Sequence, residues 1–274
     1  MDKQLYGEIL FLGNCNYNCY YCLKQEMNNL KEKKENHLNV HFSEWNNFEK
    51  YIEELHNHNI EKIYLSSTCT DPLLYKYLDE LIDYLQKEKF KVGLRSNGCL
   101  SIEKFSTILK FNGSISFSFN SFDKNTNKII TGSDYIPDYD KLLNSLEKEN
   151  KKCRISIVIN KYNYKEIPDM IDKLSKYSNS ITYIQLRKVY KYYNKIEKEE
   201  IDAFEYIKNW LLKETKLKKM YYESKVYDYN GVEVSLWENV FDINNIQSIN
   251  YFTNGLISNY NLLIPIYEED KNER

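Results

Sequence analysis

Short apolar runs of strand length alternate along this chain with segments whose apolar residues recur every three to four positions. Tyr6 to Leu12 (YGEILFL) is the first such run, and it stops at Gly13-Asn14. Ser43 is placed to cap a helix that carries Trp45, Phe48, Tyr51, Ile52 and Leu55 on one face, and Lys62 to Leu65 returns to a strand pattern. Asp71-Pro72 supplies an N-cap and a first-turn proline for a helix bearing Leu74, Leu78, Leu81, Ile82 and Leu85. Further strands are predicted over Phe90 to Arg95, Ser114 to Phe119, Arg154 to Ile159 and Ile181 to Leu186. Helices fall between them over Ser101 to Leu109, near Leu142 to Leu146 and over Ile167 to Leu174, with a longer one around Phe204 to Leu212. Lys24 to His41 is polar, lacks periodicity and reads as an exposed, mobile loop.

Six strands alternating with helices imply right-handed βαβ units and a parallel sheet, open or curled. The expected fold is therefore α/β, a partial (β/α)6 barrel of the TIM type, with ligands at the carboxyl ends of the strands. Past about Lys219 the pattern changes. Val232 to Trp237 reads as a strand, and Ile249 to Phe252, Asn254-Gly255 and Leu256 to Ser258 as a β-hairpin. Residues 1–219 are expected to form the barrel core and 220–274 a small C-terminal β extension packed on it.

Composition narrows the class. The 274 residues make about two average domains or one barrel of ordinary size. With 42% apolar and 15% aromatic residues the chain can bury a large core, and 28% charged residues with a net charge of −2 speak against disorder, coiled coil and a dedicated nucleic-acid binder. No apolar run approaches the roughly 20 residues that span a bilayer, and Met1 to Leu12 has no basic leader. A cytoplasmic protein without a membrane partner is expected. The 26 tyrosines, the many Asn, Lys and Ile residues and the single alanine, Ala203, are what AT-rich codons specify, a bias consistent with an anaerobic bacterium.

The six cysteines are unevenly placed: Cys15, Cys19 and Cys22 fall within eight residues, while Cys69, Cys99 and Cys153 stand apart. A disulfide framework would spread them in pairs through a short secreted chain, so the cluster points to metal. Zinc would need a fourth ligand, for which His37 or His41 are candidates. A [4Fe–4S] cluster held by three thiolates leaves one iron open to a small molecule. The loop after the first strand of a β/α series is where such folds place their chemistry.

Cys15-Asn-Tyr-Asn-Cys19-Tyr-Tyr-Cys22 has the C-x3-C-x-aromatic-C form that marks the radical S-adenosylmethionine (radical SAM) superfamily, and the β/α pattern extends the resemblance over roughly Tyr6 to Arg187. The resemblance implies that the three cysteines hold one [4Fe–4S] cluster whose open iron chelates SAM. It further implies cleavage of SAM to methionine and a 5′-deoxyadenosyl radical, an electron donor such as flavodoxin or ferredoxin, and a peptide or nucleotide substrate. No cysteine follows Cys153, so a C-terminal domain with auxiliary clusters is not expected. The alternatives are an activase that installs a glycyl radical on a partner protein and a zinc-stabilised binding module without chemistry.

Other site residues follow from the same resemblance. Cys69-Thr70-Asp71-Pro72 stands where the family carries Gly-Gly-Glu-Pro beside the methionine amino group, with the glycines lost and Glu shortened to Asp. Asp71 is equally well read as a helix cap. Tyr21 matches the aromatic position near the adenine, or is a core aromatic. Arg95-Ser96-Asn97-Gly98 is similar to the family's Thr-Asn-Gly strand end, and Ser118 and Asn120 match polar positions that reach the ribose or carboxylate of SAM. Asn160, Gln185 and Arg187 end the fifth and sixth strands, where a buried polar group needs a ligand or a network. Arg187 suits the SAM carboxylate or a substrate anion.

Cys69 and Cys99 follow strand ends on the active face. Either is a candidate to return a hydrogen atom to a substrate radical, as in the family's peptide epimerases, with packing as the alternative. Cys153 precedes its strand at the opposite face and reads as a core thiol. Ser118 to Gly132 and Ile155 to Asn163 resemble viperin-like, MoaA-like and peptide-modifying members alike, so they do not select a substrate. Lys188 to Lys198 and Lys213 to Lys225 mix lysine with tyrosine and read as a solvated helix face rather than an RNA surface.

Overall fold

Strand alternation sets the architecture. In β1 (Tyr6–Phe11), Gly7, Ile9 and Phe11 share the face against helix α1 (Phe48–Asn57): a Cβ on Gly7 would lie 2.7 Å from side-chain atoms of Leu55 and Tyr51. The computed structural model describes residues 5–27, 34–67, 69–192, 194–221, 224–238 and 248–260. Within them β2 (Lys62–Ser67), α2 (Leu78–Lys87), β3 (Lys91–Ser96), α3 (Phe105–Lys110) and β4 (Ile115–Ser118) follow α1. Next come α4 (Lys124–Thr131), α5 (Tyr139–Lys148), β5 (Cys153–Ile159), α6 (Ile167–Ser175), β6 (Ile181–Lys188) and α7 (Lys198–Glu214). The chain then forms β7 (Lys216–Tyr221), β8 (Ser224–Tyr229), β9 (Val232–Trp237), β10 (Ser248–Phe252) and β11 (Ile257–Ser258).

All the strands join one sheet in the order β11-β10-β1-β2-β3-β4-β5-β6-β9-β8-β7. The six predicted strands are parallel neighbours, as expected of a partial barrel that does not close. The C-terminal segment does more than pack on this sheet. β10 pairs in parallel with β1 and β9 in parallel with β6, so the parallel array gains one strand at each edge. β11 and the β8–β7 pair then finish the two edges in antiparallel fashion. No helix among the described residues is long and apolar enough to cross a membrane.

The two faces of the sheet differ chemically. Ile9, Phe11, Ile63, Leu65, Val92, Leu94, Phe117, Ile155, Ile157, Ile184 and Leu186 are buried on the helix side, each such side chain contributing about 1.5–3 kcal/mol. The alternate positions, Glu8, Tyr64, Arg95, Ser116, Arg154, Ser156, Tyr183, Gln185 and Arg187, point into the concave lumen and are almost all polar. Gly93 belongs to this inner row. A Cβ there would lie 2.7 Å from both the Tyr64 ring and the Ser114 carbonyl oxygen, so glycine lets that ring lie across β3.

Several local expectations are corrected. Ser43 lies in a 3-10 turn, Phe42–Glu44, whose N-cap His41 accepts from the Ser43 N–H, and α1 starts only at Phe48, after Asn47 in the left-handed region at φ 59°. Asp71 caps a separate 3-10 turn, Pro72–Leu74, and α2 begins at Leu78, because Tyr75 is extended and breaks the helix. The helix expected over Ser101 to Leu109 is regular only from Phe105, and α4 has no counterpart in the predicted elements. Lys213 to Lys225 is the end of α7 and the strands β7 and β8, with residues 222–223 outside the described ones. The stretch is solvated, as Leu217 at 57% and Met220 at 54% exposure show, but it is strand rather than helix, and Lys188 to Lys198 is likewise the connection from β6 to α7 rather than a helix face. Lys24 to His41 is not wholly exposed: Met27 packs with Leu10, Leu12 and Phe252, and Leu38 joins the main core. Residues 28–33 of that stretch lie outside the described ones.

Candidate active site

β1 ends at a loop anchored on several sides. Leu12 N–H donates to Thr253 Oγ1 at 3.0 Å and Thr253 N–H to the Leu10 carbonyl at 3.2 Å, so the chain beyond β10 clamps the loop's root. Further on, Asn18 N–H donates to Thr131 O at 2.7 Å and Tyr20 N–H to Ile130 O at 3.0 Å, which docks the loop on the last turn of α4. Gly132 in the left-handed region, φ 75°, ends that helix beside Asn18. Cys15, Cys19 and Cys22 sit on this loop, half-buried and free of disulfides.

The three thiols feel one another. Burial pushes Cys15 up to about 11, with a further push from Asp71 and Cys22. Burial followed by the charges of Cys22 and Cys15 pushes Cys19 up to about 12, and burial also raises Cys22. Three half-buried sulfurs that disfavour negative charge together are the donor set whose ionisation a positively charged iron centre offsets. In donor type and in their placement on one loop, the three free thiols fit a three-thiolate cluster. Among the described residues no three His, Cys, Asp or Glu side chains gather tightly enough to close on a single ion. The candidate fourth zinc ligands are engaged elsewhere, His37 by Glu35 at 3.5 Å and His41 by Glu80 at 3.2 Å.

The strand ends carry the remaining predicted residues to this loop. Asn97, after β3, donates from Nδ2 to Asn16 Oδ1 at 2.8 Å and lies 3.6 Å from Cys15 Sγ. Its Oδ1 accepts from Cys99 N–H at 2.9 Å. Asp71, only 2% exposed, accepts from Leu73 N–H at 3.0 Å, from Ser96 Oγ at 2.9 and 3.0 Å, and from Asn97 N–H at 2.6 Å. Its carboxylate thus ties the loop after β2 to the end of β3, and burial outweighs these donors to push it up to about 6. Thr70 donates from Oγ1 to Asn14 O at 2.7 Å, a second tie to the cysteine loop.

On the other side, Tyr21 donates from its hydroxyl to Asn120 Oδ1 at 2.6 Å, and burial with the neighbouring Cys19 and Cys22 raises it. Asn160, with no exposed surface, spends its side chain locally, donating to Val158 O and accepting from the N–H groups of Tyr162 and Asn163. Asn163 carries the link on by donating to Asn120 O at 2.9 Å. The network therefore satisfies Asn160 without a ligand. Ser118 and Gln185 differ, because neither side chain has a hydrogen bond among the described residues, and both lie on the lumen face. Burial and the charges of Arg154 and Arg95 pull Arg187 down to about 10.

The outlying cysteines separate. Cys69 is 3% exposed and packs with Leu10, Leu12, Met27 and Phe252. Cys99 is half-buried and raised by burial, beside Tyr17, whose hydroxyl donates to Tyr135 O at 3.4 Å. Cys153 opens β5, fully buried in the core, where burial holds it at about 12. Sequence reasoning missed Tyr17 and also Glu200, a carboxylate only 3% exposed on α7. Glu200 accepts from the Tyr20 hydroxyl at 2.7 Å and from Lys161 N–H at 2.9 Å, fastening the cysteine loop to the end of β5. A glutamate at the start of a helix is an ordinary surface pattern, so nothing in the sequence marks it.

The Radical SAM superfamily model matches residues 9–174, more than half of the chain. The chain belongs to the radical SAM superfamily. The match runs from β1 through α6 and takes in the three clustered cysteines, Asp71, Asn97, Asn120 and Asn160, while Gln185 and Arg187 lie beyond it. The chain is 26% identical over 216 residues to the radical SAM cyclopropyl synthase TigE of Paramaledivibacter caminithermalis, covering 73% of this chain and 46% of that protein. It is 25% identical over 166 residues to an uncharacterized protein of Archaeoglobus fulgidus, covering 59% of this chain and 36% of that protein. The chain thus spans less than half the length of these relatives. Among solved structures, Streptococcus suis SuiB bound to S-adenosylmethionine superposes with a TM-score of 0.64 at 16% identity, over 94% of this chain and 61% of SuiB. TYW1 with a lysine-pyruvate adduct superposes with a TM-score of 0.51 at 20% identity, over 81% and 78%. These likenesses carry the fold of this radical SAM chain: an open, mostly parallel sheet with helices on one side.

Proposed function

We propose that this radical SAM chain is an enzyme that reductively cleaves S-adenosylmethionine at a [4Fe–4S] cluster held by Cys15, Cys19 and Cys22 and abstracts hydrogen from a substrate in the lumen. The observation that carries the reading is the meeting of three free thiols on one loop with Asn97 on one flank and Tyr21 on the other. When bound there, the cluster and SAM supply a 5′-deoxyadenosyl radical. The chain's own residues position that chemistry. Asp71 and Ser96 hold Asn97 against the first cysteine, and Asn120 fixes the Tyr21 ring that would lie beside the adenine. Ser118, Gln185 and Arg187 offer uncommitted polar groups on the lumen face for the ribose and carboxylate of SAM. Thr70 positions the loop backbone beside the methionine end. Holding the reacting C–H close and in line supplies most of what a protein adds to cofactor chemistry.

Cys99 is the better placed of the two candidate hydrogen donors, because Cys69 is packed into the small apolar cluster. An electron donor of the flavodoxin or ferredoxin type completes the reaction, and residues 1–219 serve as core with 220–274 as extension. A peptide substrate is supported by SuiB, of which one solved structure holds the precursor peptide SuiA. A nucleotide is supported by the arginines of the lumen, Arg95, Arg154 and Arg187. Anaerobic reconstitution tests the proposal. A brown protein with about four irons per chain that releases 5′-deoxyadenosine from SAM after reduction is expected. A colourless protein that holds one zinc and leaves SAM intact overturns it.

A further inference from the structure

The lower half of the lumen holds a feature that the cysteine-loop chemistry does not use. A cavity of about 500 Å³ opens toward the amino ends of β2 to β6, opposite the end where the cysteine loop lies. Lys62, Lys91, Arg95, Lys152 and Arg154 line it, and among the described residues no aspartate or glutamate does. Arg95 is neutralised from behind: its Nη1 lies 2.6 Å from Glu8 Oε1, and its guanidinium lies over the Tyr64 ring at 4.5 Å and near the Tyr6 ring at 5.3 Å. Arg154 is held differently. Its Nε donates to Ser116 Oγ at 2.9 Å and its Nη1 to the Tyr183 hydroxyl at 3.4 Å, two neutral partners that aim the guanidinium without cancelling its charge. Among the described residues it has no carboxylate partner. The excess of positive charge is felt further up the lumen, where Arg154 and Arg95 add to burial in pulling Arg187 down.

A preoriented, uncompensated guanidinium in a basic cavity is a site for an oxyanion. A single carboxylate brings one charge. A phosphoryl group brings a charge near −2 and three strong acceptor oxygens, which matches several cations better. Arg154 lies five residues below the carboxyl end of β5, roughly 16 Å at about 3.3 Å per residue. The cavity lining reaches up to Arg95, Ser116, Arg154 and Tyr183 and takes in none of Ser118, Ser156, Gln185 or Arg187 nearer the cysteine loop, so it is a site of its own at the amino ends of the strands. We infer that this cavity binds a phosphoryl-bearing anion, with Arg154 as its anchor. The inference stands independently of the proposed radical SAM reaction.

Inorganic pyrophosphate is the probe, titrated calorimetrically into the full-length protein at low and at raised ionic strength. Binding that weakens with salt, weakens about tenfold or more in Arg154→Gln and severalfold in the exposed-rim variant Lys152→Gln is expected. Circular dichroism checks that both variants fold, and Lys152→Gln keeps the test valid should Arg154→Gln not. Absence of pyrophosphate binding by the folded protein overturns the inference, as does binding that neither variant changes. Tighter binding of tetraglutamate than of pyrophosphate also overturns it, in favour of an acidic peptide. SAM cleavage is followed in parallel. Cleavage without pyrophosphate binding removes the anion site and leaves the radical SAM reading, whereas pyrophosphate binding without cleavage does the reverse.

Discussion

Replacing Asp71 by asparagine isolates the energy of one buried carboxylate. In the folded chain burial pushes this group up to about 6 from its ordinary 3.8, against the pull of donors from Asn97, Leu73 and Ser96. A raised carboxylate binds its proton more tightly when folded, so its contribution to stability is fully present below about pH 4 and is lost as pH rises through about 6. The difference of about two units corresponds to ~3 kcal/mol at 1.36 kcal/mol per unit. The substituted amide does not ionise, but its nitrogen must face one of the N–H or O–H donors that the carboxylate accepts, a roughly pH-independent loss of about 1–3 kcal/mol. The Asp71→Asn chain is thus expected to be less stable than the parent at pH 4 and to match or exceed it at pH 8. The gap closes by ~3 kcal/mol between these limits. Urea denaturation of the cluster-free protein across that range measures it, and the difference between the two proteins cancels all other titrating groups. A gap that stays constant, or that widens with pH, refutes the reasoning. It would mean that the donors stabilise the charge at least as much as burial penalises it.

Three further outcomes are expected. Cys19→Ala should bind little iron and lose SAM cleavage by at least about a hundredfold, since two thiolates and no replacement ligand remain, as iron content and 5′-deoxyadenosine release will show. Tyr21→Phe removes the hydroxyl that Asn120 accepts at 2.6 Å and should cost about 1 kcal/mol in stability, with a raised KM for SAM and little change in iron content. Gly93→Ala places a methyl 2.7 Å from the fixed Ser114 carbonyl as well as the Tyr64 ring, so thermal denaturation should show a loss of about 1–3 kcal/mol that no rotamer change of Tyr64 relieves.

Much of the fold was legible because its elements are locally consistent. Apolar runs such as Ile115, Phe117 and Phe119 announce strands, and Leu142, Leu143 and Leu146 announce a helix face that the structure buries. The C-x3-C-x2-C spacing likewise marks the candidate site directly after the first apolar run. What periodicity does not carry is pairing between distant strands. Val232 to Trp237 reads as a strand, but its parallel register with β6, Ile184 against Val234 and Gln185 against Ser235, depends on how the sheet curls. The partners of buried polar groups were hidden for a similar reason. Asp71 and Asn160 look alike in sequence as polar residues near strand ends, yet one braces a neighbouring strand and the other its own turn. Nothing in the sequence marks the basic cavity, because its five cations come from β2, β3, β5 and the residue before β5, which are adjacent only in the fold.

The clamp of Thr253 on the root of the cysteine loop also constrains when that loop can take shape. The Leu12–Thr253 bond spans 241 positions, and β10 is the neighbour that completes one side of β1. On the ribosome the amino-terminal strand emerges long before this partner exists. Such distant pairing is slow, because loop closure precedes any reward from contact. The cysteine loop therefore gains its full support only once residues near 253 have been synthesised and docked. Loading of the proposed cluster would therefore follow synthesis of residue 253, and truncation just before β10 is expected to spoil the loop even though Cys15, Cys19 and Cys22 are all present.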